Sequence, residues 1–191
     1  MIKAIIFDCF GVLAGKGYKR IYQSAGGDLE RDSKFLEAQL HASNTGQISN
    51  AELNKRVAQR IGQSPEQWHQ TVSQSELPNE ELLDYIKTLK PRYKIAMLSN
   101  AYFGTAKRKF SQEQLALFDT IVVSAEVGMI KPEARIYRHC AELLGVEPTD
   151  CIYIDDLQPY VEGASAIGMK TIRYQDFEQM KSELEDLLKA A

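Results

Sequence analysis

Cysteine is scarce and scattered: Cys9, Cys140 and Cys151 are odd in number and no two stand at a zinc-site or disulfide-framework spacing. That excludes a fold stapled by disulfides and fits a reducing compartment. Long apolar runs are missing as well. The opening MIKAIIFDCFGVL is broken by Asp8 before it reaches the length of a signal-peptide core or a membrane span, so no membrane partner is expected and a cytoplasmic location is. No stretch repeats at a fixed period, and no heptad or long apolar seam marks an assembly interface. A basic stripe is absent too. The 23 Lys and Arg are spread among 26 Asp and Glu for a formal net charge of -3, so no nucleic-acid grip is expected and the partner in view is a small molecule.

What is present is enough for one core and a modest insertion: 191 residues, 44% of them hydrophobic. Five short runs rich in Ile, Val or aromatics, at 3–7, 93–98, 120–124, 151–154 and 170–174, predict buried strands. Helical periodicity occupies 80–89, 132–144, 160–167 and 176–189; the second has Pro132 at its first turn and Gly145 at its stop. Strands alternating with helices predict an α/β fold, a parallel sheet covered on both faces, with chemistry at the carboxyl ends of the strands. Residues 18–77 carry no strand pattern but have helical stretches at 35–40 and 51–61, the latter preceded by Ser49 and Asn50 as caps. Small polar residues at 24–27, 42–50 and 62–65 predict loops between those helices. An insertion placed directly after the first strand is positioned to close over that strand's end and keep water out.

At the strand ends stand the residues with chemical potential. Asp8 follows the first strand directly and precedes Gly11, which lets the chain turn. The second strand ends in Ser99 and Asn100, a hydroxyl and an amide able to hold phosphoryl oxygens without adding charge. Lys131 follows the third strand just before the predicted helix start, where a helix dipole also favours an anion. The fourth ends in Asp155 and Asp156, adjacent acids that repel unless a cation or donors are near. A hard divalent ion held by Asp8 and one of this pair answers that need. Singly, each of these is an ordinary turn, cap or surface group; it is the set that points to a site.

The ordered set Asp8, Ser99, Lys131 and Asp155-Asp156 resembles the four motifs of the haloacid dehalogenase-like hydrolases. FDCFGVL resembles their opening motif, and GMIKPEARIYRHCAELLGVEPTDCIYIDDLQPYVEGASAIGM is similar to the corresponding stretch of sugar-phosphate phosphatases and of the phosphatase domain of soluble epoxide hydrolases. The resemblance implies a Rossmann-like core of residues 1–14 and 79–191 and a helical cap of 15–78. It implies a small phosphate ester as substrate and an aspartyl-phosphate on Asp8, which splits a difficult displacement into two steps. Ser99 and Asn100 would hold phosphoryl oxygens, and Lys131 would neutralise charge between phosphate and nucleophile. Mg2+ would be bound by Asp8, the backbone carbonyl of Phe10 and Asp156, with Asp155 supporting that shell.

One position departs from the pattern. Phosphatases of this family usually carry a second Asp two residues after the nucleophile, and here that residue is Phe10. Three functions therefore stand open: a magnesium-dependent phosphatase, a metal-free 2-haloacid dehalogenase whose halide needs no proton, and a weakly catalytic phosphate-binding protein. His41, His69 and His139 have the pKa range for acid-base work, but two lie in the insertion and the third in a predicted helix, where surface or packing roles are expected. Cys9, beside the nucleophile, is expected to pack as a small apolar residue.

Overall fold

Runs of apolar residues with no polar alternation can be buried only between two layers, and the computed structural model, which describes residues 1–15 and 17–190, places them so. β1 (Ala4–Phe7), β2 (Lys94–Ser99), β3 (Thr120–Val123), β4 (Cys151–Asp155) and β5 (Lys170–Arg173) form one parallel sheet in the order β3-β2-β1-β4-β5. β1 is central: Phe7 lies level with Met97 of β2 and Ile154 of β4. The carboxyl ends of three strands thus meet at one place. Relative to the sequence reading, β2 and β4 each extend one residue further, so that Ser99 and Asp155 are themselves strand residues.

Successive side chains of a strand point to opposite faces, and the core divides accordingly. Ile5, Phe7, Met97, Ile152 and Ile154 pack on one face with Leu82, Ile86, Met180 and Leu184, contributed by α5 (Glu80–Leu89) and α11 (Phe177–Lys189). Ala4, Ile6, Leu98, Val122 and Tyr153 pack on the other with Ile136, Tyr137, Cys140 and Ala164, from α9 (Ala134–Leu144) and α10 (Gln158–Ser165). Each fully buried Ile or Leu contributes about 1.5–3 kcal/mol relative to exposure. Three short helices, α6 (Thr105–Lys109), α7 (Gln112–Leu115) and α8 (Ser124–Val127), fill connections that carry no clear periodicity. The helix expected over 132–144 starts two residues late, because Glu133 donates its N–H to Ile130 in a turn first.

Between β1 and α5 lie α1 (Tyr18–Ser24), α2 (Leu29–Asn44), α3 (Asn50–Arg60) and α4 (Pro65–Ser75). They enclose an apolar cluster of their own around Ile21, Leu36, Leu53, Val57 and Trp68. The indole N–H of Trp68 donates to Tyr18 Oη at 2.9 Å and to Asn54 Oδ1 at 3.1 Å, so no polar atom of that ring is stranded. Asp32, fully buried, accepts from Tyr22, Arg31 and Arg60; the hydrogen bonds of Arg31 and Tyr22 hold its carboxyl below the usual range. Ser49 caps α3 as expected, accepting from Glu52 N. The loop expected over 42–50 is shorter, because α2 continues to Asn44, where the Thr45 hydroxyl bonds the His41 carbonyl.

Two stretches of backbone join this insertion to the core side by side. Ala14 pairs with Pro78 in an antiparallel bridge, and Gly15 N donates to Leu77 O at 2.9 Å. On the other side, Ser124 Oγ donates to Asn44 O at 2.6 Å. Among the described residues, no helix is long and apolar enough to cross a membrane.

Candidate active site

Asp8 sits one residue beyond β1, anchored by its N–H to Ile154 O at 2.9 Å. The chain then turns sharply through Gly11, whose φ of 99° lies in the region that favours glycine. A Cβ on Gly11 would come within 2.7 Å of the Asp156 carboxylate, so this position also keeps room for that carboxylate. One carboxylate oxygen from each of Asp8, Asp155 and Asp156 lies within 4.8 Å of the other two.

Into this cluster runs Lys131, 2% exposed. Its Nζ donates to Asp8 Oδ1 at 2.6 Å, Asp155 Oδ2 at 2.7 Å and Tyr153 Oη at 2.8 Å, with Leu98 O at 3.2 Å, and it lies 4.8 Å from the Tyr160 ring centre. Burial opposes its charge, but Asp155 and Asp8 outweigh that and hold the ammonium above the usual lysine range. Asp8 is pushed up to about 7, first by burial, then by the charge of Asp155, against the pull of Lys131. Asp156 is raised too, by burial and then by Asp155, with Arg20 on α1 acting in the opposite direction. Three carboxylates facing one ammonium make an anionic pocket that calls for a cation.

The oxygens are not equally available. Both oxygens of Asp155 are engaged, Oδ1 by Leu157 N at 2.9 Å and Oδ2 by Lys131 and Tyr153. Asp156 Oδ1 and Ser99 Oγ, in contrast, are sealed from solvent and have no hydrogen-bond partner. Buried polar atoms are nearly always paired, so these two are where a bound group would add partners. The Phe10 side chain joins the cavity wall beside Asp8.

The Asn100 side chain is engaged within the protein. Its Oδ1 accepts from Lys131 N at 2.9 Å, and its Nδ2 donates to Lys131 O at 3.0 Å and to Tyr160 Oη at 3.2 Å. An amide has two N–H donors, and both are used. The side chain braces the lysine loop and cannot also grasp a phosphoryl oxygen without giving up a bond. Tyr153 is the site residue that the sequence reading passed over. Two residues before Asp155 on the same strand, it shares that residue's face, and this spacing was the available signal. Cys9 packs in the core as expected.

Above the cluster opens a cavity of about 780 Å³, lined from the strand ends by Asp8, Asn100, Lys131 and Asp156 and from the insertion by Lys19, Arg20, Asn54 and His69, among others. His41 also lines it; both histidines are exposed. His139 lies outside it on α9.

Asp8, Lys131 and the Asp155-Asp156 pair gather at the carboxyl ends of the strands, and the chain belongs to a known family: the haloacid dehalogenase-like hydrolase pattern matches residues 2–168. Bifunctional epoxide hydrolase 2 of Sus scrofa is 29% identical over 113 residues, covering 56% of this chain and 20% of that protein. N-acylneuraminate-9-phosphatase of Rattus norvegicus is 30% identical over 105 residues, covering 54% and 42%. The matches thus span less than half the length of either relative. A HAD family enzyme of Bacteroides thetaiotaomicron, solved in complex with magnesium and inorganic phosphate, superposes with a TM-score of 0.73 at 23% identity, covering 94% of this chain and 99% of that one. That likeness shows the fold.

Proposed function

We propose that this protein is a magnesium-dependent phosphatase of a small phosphate ester, working through an aspartyl-phosphate on Asp8, with residues 15–78 as a cap over the core of 1–14 and 79–191. The observation that carries this reading is the unbalanced pocket: three carboxylates, one ammonium, and an Asp156 oxygen buried without a partner. Magnesium is a hard cation that takes oxygen ligands and reaches proteins through one or two carboxylates. Asp8, Asp156 and the carbonyl of Phe10 would hold it, while Asp155, with both oxygens taken, keeps Lys131 in place. Bound there, the metal supplies positive charge against the phosphoryl group.

The chain's own residues do the rest. Lys131 grips one oxygen of Asp8 and leaves the other to attack phosphorus. Ser99 Oγ, unpaired at the end of β2, donates to a phosphoryl oxygen. Asn100 fixes the loop that delivers Lys131. Phe10 contributes no acid, and general acid-base help is typically about 10²- to 10⁴-fold, or roughly 3–5 kcal/mol of barrier. Without an acid from elsewhere in the cavity, esters whose leaving group departs without a proton are favoured: acyl, aryl and anomeric sugar phosphates over simple alkyl phosphates.

Phosphate release from acetyl phosphate, p-nitrophenyl phosphate, sugar phosphates and glycerol phosphate, with magnesium and with EDTA, tests this. Release that stops in EDTA is the expected result, and release that persists there would sink the magnesium reading; the ratio of glycerol phosphate to p-nitrophenyl phosphate turnover reads how far the cavity makes up for the acid missing at position 10. Phe10 also favours a second reading, a metal-free 2-haloacid dehalogenase, for which turnover of 2-chloropropionate in EDTA is the signature. Phosphate binding without turnover of either substrate would leave a binding protein.

Ser99→Ala is expected to cut kcat/KM by on the order of 10- to 100-fold, since a hydrogen bond to a charged group contributes about 1.5–3 kcal/mol. Because the buried hydroxyl has no hydrogen-bond partner within the protein, the thermal midpoint should hold or rise. A fall in both would mark Ser99 as structural.

A further inference from the structure

One buried carboxylate faces the cavity with no part in the scheme above. Glu76, the residue that closes α4, is 6% exposed and is paired with Lys109, the last residue of α6. Both line the cavity with Asp8 and Phe10. A buried ion pair costs the desolvation of two charges, which apolar residues of the same volume would avoid.

The backbone fixes Glu76 with respect to the nucleophile's loop. Phe10 bridges to Ala14, and Ala14 bridges in turn to Pro78, two residues beyond Glu76. A Cβ on Gly15, whose φ is 33°, would lie 2.0 Å from Ser75 O and 2.6 Å from Glu76 Cα, so the two segments pack backbone against backbone. The field of the pair also reaches the strand end: the Cys9 thiol, next to the nucleophile, is pushed up by burial, then by Asp8 and by Glu76. Other acids at the cavity are differently placed. Glu37 is exposed and paired with Lys19, and Glu133 is exposed and paired with Arg135.

We infer that Glu76, held by Lys109, is a catalytic residue that gives a proton to the leaving oxygen and takes one from water, standing in for the carboxyl that position 10 lacks. This rests on the phosphatase reading. In the first half-reaction the bond from Asp8 oxygen to phosphorus forms, the bond from phosphorus to the leaving oxygen breaks, and that oxygen takes the Glu76 proton to leave as an alcohol. In the second, water oxygen bonds to phosphorus, the bond to Asp8 breaks, and the water proton returns to Glu76. The products are alcohol and phosphate, with both carboxyls restored. Burial raises the Glu76 carboxyl, which favours the protonated form the first step needs; Lys109 on α6 and His69 on α4 pull it the other way. Tyr102 and Tyr18, each raised first by burial, feel its charge as well, with Arg108 opposing at Tyr102.

The test compares p-nitrophenyl phosphate with glycerol phosphate in the full-length protein with magnesium. Glu76→Gln is expected to lower first-turnover release of glycerol from glycerol phosphate by on the order of 100-fold and to leave first-turnover release of p-nitrophenol nearly unchanged, because the aryl oxygen leaves without a proton; steady-state turnover of both esters falls, because water has lost its base. Glu76→Asp keeps the charge opposite Lys109 but withdraws the carboxyl by one methylene, so it should show the same selective loss in smaller measure and carries the test if the Gln variant does not fold. An equal fall in first-turnover release from both esters, or an unchanged ratio, overturns the assignment while leaving Asp8-dependent phosphate release intact. If the native protein shows no Asp8-dependent release from any ester, the phosphatase reading falls and this assignment falls with it.

Discussion

Asp8→Asn is expected to lower phosphate release by about 10⁴-fold or more, the scale on which loss of a covalent nucleophile acts, while the protein unfolds at the same temperature or a higher one. The two halves of this result have one cause. Asp8 is held at the end of the central strand where burial and the charges of Asp155 and Asp156 all oppose its ionisation, and Lys131 only partly offsets them. Asn keeps the shape, removes the repelled charge, and leaves Lys131 its bonds to Asp155 and Tyr153. The pH dependence has a definite sign. A carboxyl raised from 3.8 to about 7 on folding binds its proton more tightly in the folded state, so the native protein in EDTA loses stability as pH rises between those values. The variant lacks that slope. Thermal unfolding of both proteins across this range, in EDTA, measures it. Parallel curves would mean that the Asp8 charge is not under the strain argued here, and retained phosphate release would remove Asp8 from the chemistry.

Lys131→Met should do the opposite to stability and the same to activity. The ammonium is fully enclosed and is shared by two carboxylates, and removing one partner of a buried pair costs about 3–5 kcal/mol because the remaining charge is left uncompensated. For a chain of this length that corresponds to a fall in thermal midpoint of roughly 6–20 °C. Magnesium should narrow the gap by supplying positive charge to the same carboxylates. Loss of charge stabilisation at phosphorus should cost on the order of 10²- to 10³-fold in kcat. An unchanged midpoint would show that solvent, and not Lys131, balances the acids. Stabilisation by Asp8→Asn beside destabilisation by Lys131→Met would locate the strain in the carboxylates.

The sheet is legible in the sequence because its inner strands are short apolar runs, from Ala4–Phe7 to 151–154, and five strand-like runs separated by helical periods leave few alternatives. The insertion is less so. α4 carries a capping box, Ser64 with Gln67, and Pro65 at its first turn, all readable, yet its mostly polar surface hides the period and only the loop before it stands out. α2 outruns its apolar stretch because only Leu36 among its apolar side chains is fully buried. In the site, Asp8, Ser99, Lys131, Asp155 and Asp156 are legible because each follows a strand, and strand ends converge. The direction of the Asn100 amide is not, since it depends on a loop thirty-one residues away. Glu76 and Lys109 carry no local signal at all. They meet only because the end of α4 and the end of α6 pack together.

The strand order has a consequence for how the molecule comes into being. Lys131 contacts a carboxylate 123 residues earlier in the chain and another 24 residues later, and the first of these lies on the strand that both neighbours flank. Closing loops of such length costs entropy before the contact repays it, so contacts of this separation form slowly. Until β4 docks, Asp8 has no Asp155 beside it and stays an ordinary hydrated acid. The cluster of acids thus comes into being only with the pairing of β1 and β4, and a refolding chain acquires its appetite for cations with that pairing.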